Sequence, residues 1–350
     1  MIESFSIRNF RAFERVDLHD LKRVNIVVGR NATGKTALGE AIYLAASAAP
    51  YGAWWIRLSR SRLLPQQQIF WDRTLFEALW KDLFYDFDQD EKITLTFKDT
   101  QKGEYRVRVF YDRSEAKAQQ GAGAAPTPPI FPLVFERTGP GNLRTINKVT
   151  LEKGTPSYEG QLEFIPRMAA IPSTNPLNQQ EVVSWYSELI KAGKEEPVVK
   201  ALQEVFPQVR DLSIAQDATL SALYAKVPSI RERLPIGVVS SGIAKLLSIL
   251  LAVANARDGV VMVDEIENGI HYERLPAVWA TLFKFCSENK VQLFAATHSW
   301  ECLKAISETL KDQETDFCLL RTEKEDGSCT VRQFDGKRLE AALDEDVDIR

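Results

Sequence analysis

Eight residues, Gly29-Arg30-Asn31-Ala32-Thr33-Gly34-Lys35-Thr36, constrain this chain more than any other stretch. They follow the β-branched run RVNIVVGR and precede TALGEAIYLAASAA, a segment of good helix formers. The spacing Gly29-x-x-x-x-Gly34-Lys35-Thr36 between strand and helix matches the phosphate-loop pattern. Glycines let backbone N–H groups turn toward phosphate oxygens, and the helix start adds positive potential. A lysine here reaches the β- and γ-phosphates, and a threonine places its hydroxyl on Mg²⁺. We therefore expect residues 29–36 to hold ATP, with Thr36 on the metal. The bland alternative is a glycine-rich turn with a chance lysine.

A chain of 350 residues suffices for one large domain or two ordinary ones. Apolar content of 45% and charged content of 26% are those of a globular protein. The net charge of −4 excludes a global basic field, so binding to nucleic acid or membrane must be local. The four cysteines, Cys286, Cys302, Cys318 and Cys329, form no C-x-x-C pair and read as reduced core thiols. No apolar run approaches the roughly 18 residues of a membrane span. The opening MIESFSIRNFRAF is patterned as a strand rather than a signal peptide, so a cytoplasmic protein is expected.

Three further motifs carry chemistry. VVMVDE is an apolar strand ending in Asp264 and Glu265. Beside a phosphate loop, Asp264 can hold Mg²⁺ through water and Glu265 can take a proton from attacking water. The alternative is a solvated strand end. In FAATHS, His298 follows a second buried strand, where it senses a γ-phosphate or caps its own loop; His271 stands near the first. Ser240, Ser241 and Gly242 precede an apolar helix, either as an anion-binding helix start for a second subunit's nucleotide or as a plain serine cap.

Elsewhere, KITLTFKD and YRVRVFYD pair as strands, PLVFER, KVTLEK and QLEFIP are short strands, and residues 65–90 and 179–206 are helical. SEAKAQQGAGAAPTPPIFP is a low-complexity loop. From 232 onward strand and helix alternate as in a parallel α/β sheet, closed by a hairpin turning at Asp326-Gly327. The stretch YGAWWIRLSRSRLLP, with Trp54, Trp55, Arg57, Arg60 and Arg62, is a nucleic-acid or protein surface, or core tryptophans with solvated arginines.

Together the pieces resemble the ABC-type ATPase heads of the RecF, SMC and OLD group. GRNATGKT stands as the Walker A, VVMVDE as the Walker B, ENGIH at the D-loop, THS at the switch histidine, and SSGIAK in place of the usual LSGGQ signature. IRNFRAF is similar to that group's first strand. VDEIENGIHYERLPAVWATLF and VQLFAATHSWECLKA resemble the stand-alone bacterial relatives of OLD ATPases. SSG has one glycine where the signature has two. Gln179 and Gln180 are Q-loop candidates, or simply a helix start.

The resemblance implies an α/β fold: a P-loop head with a mixed or parallel central sheet, an N-terminal β-rich subdomain and an inserted helical lobe. Residues 1–350 would form one ATPase domain, with a core lobe of 1–115 plus 235–350, an inserted loop 114–130, and a strand and helical lobe 131–234. It implies an ATP-dependent homodimer in which Lys35 and Thr36 of one copy face Ser241 and Gly242 of the other. Glu265, His298 and Lys35 would be catalytic, and Thr36 and Asp264 the Mg²⁺ ligands. Slow hydrolysis would drive a DNA-related process, anti-phage defence or repair, with a separate effector such as a nuclease. The acidic tail, Asp344, Glu345, Asp346 and Asp348, reads as solvated chain. The other reading is a nucleotide-gated scaffold that assembles a partner complex with little turnover.

Overall fold

The computed structural model describes residues 1–47, 50, 52–54, 56, 73–114, 130–152, 154–160, 168–172, 179–217, 220–228, 230–310, 316–325 and 327–344. Largely buried parallel strands pair at its centre. β3 (Val24–Val28) lies between β14 (Gln292–Ala296) and β15 (Phe317–Glu325), parallel to both. β13 (Val260–Val263) pairs with β14, and β9 (Met168–Ile171) with β13, again parallel. β16 (Ser328–Phe334) closes the other edge antiparallel, giving the order β16-β15-β3-β14-β13-β9. Every residue of β3 and β14 is buried, as in a parallel sheet covered on both faces.

A second, seven-stranded sheet is antiparallel throughout. It orders β2 (Phe13–Leu18), β1 (Ile2–Phe10), β4 (Ile93–Asp99), β5 (Gly103–Tyr111), β6 (Leu133–Thr138), β7 (Arg144–Glu152) and β8 (Thr155–Gly160). α1 (Lys35–Ala46) lies between the two sheets, and Ala37 through Ala45 are all buried. On its far side the parallel sheet packs on α3 (Gln179–Lys191), α4 (Glu196–Val205), α6 (Ser241–Asn255), α7 (Leu275–Asn289) and α8 (Trp300–Leu310). β3 serves both cores: Val24, Ile26 and Val28 face the helices, and Val27 faces the α1 side. A short helix, α5 (Ile236–Val239), leads into α6. α2 (Arg73–Lys81) covers the antiparallel sheet through Phe76 and Trp80, and α9 (Gly336–Asp344) ends the described chain.

Several expectations meet the structure at particular elements. The β4–β5 pair, both helices of 179–206 and the alternation after 232 stand where the patterning put them. β6 to β8 extend the sheet that begins with β1, and β9 joins the phosphate-loop sheet, so both sheets run across residue 131. The final hairpin is more than a closing element, because β15 is also the parallel neighbour of β3. Gln179 and Gln180 open α3, and Gln180 is exposed there. Trp54 packs edge-on against buried Trp80, with centroids 5.1 Å apart, which is the core reading for that residue. Trp55, Arg57, Arg60 and Arg62, most of the low-complexity loop, QLEFIP, Asp326, and Glu345, Asp346 and Asp348 lie outside the described residues. All four cysteines are buried free thiols, and burial pushes Cys286 and Cys302 up to about 12. Among the described residues no helix is long and apolar enough to cross a membrane.

Candidate functional site

Parallel strands all end on one side of their sheet, so the loops after them converge. The loop after β3 turns into α1 through backbone that L-residues rarely adopt: φ is 149° at Gly29, 63° at Ala32 and 99° at Gly34. Such turns point successive N–H groups into one concavity. Gly34 has a second reason to be glycine, since a Cβ there would sit 2.8 Å from the Phe13 ring of β2. Thr33 anchors the loop from below, with its hydroxyl 2.8 Å from the Arg30 carbonyl and 2.7 Å from the Thr322 hydroxyl of β15. The Lys35 ammonium donates to the Gly29 and Arg30 carbonyls at 2.7 and 2.9 Å. Burial lowers its pKa, while Asp264, Glu265 and Glu267 pull the other way. Arg30, Asn31 and Ala32 are exposed at the loop's crest.

The loop after β13 meets this one. The Thr36 hydroxyl donates to Asp264 Oδ2 at 3.1 Å. Glu265 follows with φ of 46°, an uncommon backbone for a non-glycine residue, and its Oε2 accepts from the Asn268 amide at 2.5 Å. From the loop after β14, His298 donates its backbone N–H to Glu267 Oε1 at 3.2 Å, and its ring Nδ1 lies 3.4 Å from the same oxygen. A cleft of about 560 Å³ gathers Asn31, Lys35, Thr36, Asp264, Glu265 and His298, with Arg11 from the β1–β2 turn on its wall. Arg11 is buried and ion-paired with buried Glu40 of α1 at 3.1 Å.

The donors fit a hard divalent cation. Adjacent oxygens of an octahedral Mg²⁺ shell lie about 3 Å apart, close to the Thr36–Asp264 separation. Among the described residues no group of three or more His, Cys, Asp or Glu forms a metal cage. A lone hydroxyl and a carboxylate suit an ion that takes its other ligands from phosphate and water.

Ser240, Ser241 and Gly242 are not brought to this cleft. Ser240 occupies the N-cap position of α6, but its side chain makes no capping hydrogen bond. Ser241 is exposed, and Gly242 is buried against Gly269. His271 is likewise outside the cleft, exposed beside Tyr272 and 3.7 Å from Glu273. Sequence reasoning missed Glu267, Asn268 and Arg11. The DEIEN run and the FRAF turn were their only signals, and each partner lies on another segment or side of a loop.

The family model described as "AAA domain, putative AbiEii toxin, Type IV TA system" matches residues 24–302, most of the chain. This chain belongs to that family. An ATP/GTP phosphatase of Helicobacter pylori is 23% identical, with 97% of each chain aligned. The DNA replication and repair protein RecF of Nitrosococcus oceani is 51% identical over 43 residues, 12% of each chain. A solved SMC head, bound to the C-winged helix domain of ScpA, shares the fold at TM-score 0.52 and 12% identity, covering 98% of this chain and 99% of that one. The chain therefore carries the AAA domain of its family and shares the α/β fold of the SMC head.

Proposed function

We propose that the chain hydrolyses ATP in the cleft after β3, β13 and β14, completed by the α6 start of a second copy. The observation that carries this reading is the convergence of Lys35, Thr36, Asp264, Glu265 and His298, with Ser241 and Gly242 outside it. The backbone of Gly29 to Thr36 and the Lys35 ammonium bind phosphate oxygens. Thr36 and Asp264 hold Mg²⁺, which when bound neutralises charge on those oxygens. Glu265, steadied by Asn268, accepts the proton of the attacking water. His298, steadied by Glu267, faces the γ-phosphate. Ser240, Ser241 and Gly242 of the other copy offer helix-start N–H groups to the same nucleotide.

Val238, three residues before α6, and Tyr272, three residues after the Gly269 that touches it, are 70% and 59% exposed, apolar surface that a second copy would cover. The result is a homodimer that ATP closes and hydrolysis opens. We read residues 1–350 as one ATPase unit in the cytoplasm, where buried thiols stay reduced. Its turnover serves a DNA-related process, anti-phage defence or repair, through a separate effector such as a nuclease. The toxin–antitoxin wording of the family description and the local RecF similarity support that placing.

A second reading, a nucleotide-gated scaffold with little turnover, is favoured by one feature: Gly242 is the lone glycine of the signature segment. Steady-state phosphate release with and without duplex DNA separates the two. Release that DNA stimulates several-fold supports the DNA-coupled ATPase. Near-zero release with ATP-driven association supports the scaffold, and neither binding nor release overturns both.

A further inference from the structure

Lys245 stands one turn into α6, four residues after Ser241. A lysine on a helix ordinarily keeps its ammonium in water. Here Nζ is turned inward and donates to the backbone carbonyl of Asp264 at 2.9 Å. Burial lowers its pKa, and the carboxylates of Asp264, Glu267 and Glu265 oppose that shift. Burying an ammonium is costly, so its place calls for a role that a shorter apolar residue would not fill.

The peptide it grips matters. The Asp264 N–H donates to the Ile171 carbonyl of β9 at 2.8 Å, so β9 and Lys245 together hold both backbone polar groups of Asp264. The carboxylate of Asp264 is thereby aimed at Thr36. α6 is also seated on the segment that follows Asp264. A Cβ on Gly242 would collide with the Gly269 carbonyl, and one on Gly269 would lie 2.8 Å from Ser241 Oγ. Helix start and loop therefore touch backbone to backbone. α6 meets the 264–270 segment at two points, one at Gly269 and one at Asp264.

We propose that Lys245 is a positioning residue that ties the α6 start to Asp264, so that docking of that helix start on a second copy's nucleotide sets the aim of the Asp264 carboxylate in its own cleft. This rests on the function proposed above. It makes metal-dependent nucleotide binding in one copy responsive to closure of the dimer. The relay needs only a stiff helix and two contacts, because Gly242 and Lys245 sit on one α6 turn.

The test compares wild type with Lys245→Met, which keeps the aliphatic stem without the donor, and Lys245→Arg, which restores a cation with donors. Affinity for a fluorescent ATP analogue is measured with and without Mg²⁺, alongside kcat and KM. Lys245→Met should keep metal-free affinity and lose about fivefold or more of the gain that Mg²⁺ gives wild type. Its KM for Mg-ATP should rise about as far as the Mg²⁺ gain falls, its kcat should fall as well, and Lys245→Arg should recover part of both losses. A Met variant with the wild-type Mg²⁺ gain and kcat overturns the proposal, as does equal loss of metal-free affinity. If thermal melting shows that Lys245→Met does not fold, Gly242→Ala decides, since it lifts α6 off Gly269: a reduced Mg²⁺ gain supports the relay and an unchanged one overturns it. Wild type that binds no ATP overturns the proposed function itself, whereas wild type that binds while Lys245→Met is unaltered overturns the relay alone.

Discussion

β3 and β14 bury every side chain, whereas in the other sheet β4 buries alternate ones and β1 and β5 bury fewer than half of theirs. A strand buried on both faces has no side chain to spare for chemistry, so chemistry moves to its end. There Lys35, Asp264 and His298 meet because parallel strands finish on the same side. The antiparallel strands end on alternating sides and, among the described residues, gather no such cleft at one edge. Their sheet instead supports the site: Phe13 seats Gly34, Arg11 pairs with Glu40, and α1 is wedged between both sheets. One sheet supplies the reactive loops and the other fixes their geometry.

The largest expected effect removes the reactive side alone. Lys35→Ala should weaken ATP binding about a hundredfold, the loss of two charge-assisted contacts at roughly 1.5 kcal/mol each. Circular dichroism and melting should stay near wild type, because among the described residues the Lys35 ammonium donates to its own loop's carbonyls. Unchanged ATP affinity in calorimetry would end the assignment of this loop.

A change in the supporting sheet should act the other way. Phe13 is fully buried, and Phe13→Ala should cost about 3–5 kcal/mol of stability. At a temperature where the variant is folded, its ATP affinity should fall by less than in Lys35→Ala, because Phe13 supports the loop at Gly34 and donates nothing to phosphate. Collapse of affinity with stability intact would show that the division between the sheets is drawn wrongly.

The smallest effect lies farther out, at Asp17 of β2. Burial raises the pKa of this carboxyl, but hydrogen bonds from Ser6, Arg8 and Arg15 outweigh that and hold it at about 2, below its ordinary 3.8. Its folded pKa is depressed, so its contribution is present above the unfolded value and is lost as pH falls from 3.8 through about 2. Asp17→Asn should flatten that part of an acid stability profile and leave ATP binding at neutral pH alone. An unaltered acid slope would mean that the Ser6, Arg8 and Arg15 bonds contribute no net stability.

The same contrast explains what could be read from residues. The reactive loops were legible because each is a short, contiguous signal: GRNATGKT, VVMVDE and ATHS follow apolar runs and carry polar side chains at the turn. The helices at 179–206 were legible from their apolar stripe. What escaped depends on partners distant in the chain. β9 is only the four residues MAAI, and only its pairing with β13 makes it a strand. The hairpin of β10 (Asp211–Asp217) and β11 (Leu220–Lys226) is rich in alanine and serine, so its alternation is faint. The parallel pairing of β15 with β3 joins segments nearly a chain length apart. Glu267, within ENGIH, has its partner His298 31 residues on, and only the fold places the two together. Lys245 likewise meets Asp264, 19 residues on, only through the fold.

The central claim is that two copies complete each other's sites. The most direct measurement is the solution mass of Glu265→Gln with and without Mg-ATP, since this change removes the proton acceptor and leaves Thr36 and Asp264 to bind. The mass should double when Mg-ATP is added and return to that of one chain when it is removed. A variant that binds Mg-ATP by calorimetry yet keeps the mass of a single chain would contradict the claim, leaving Ser240, Ser241 and Gly242 as no more than the start of a helix.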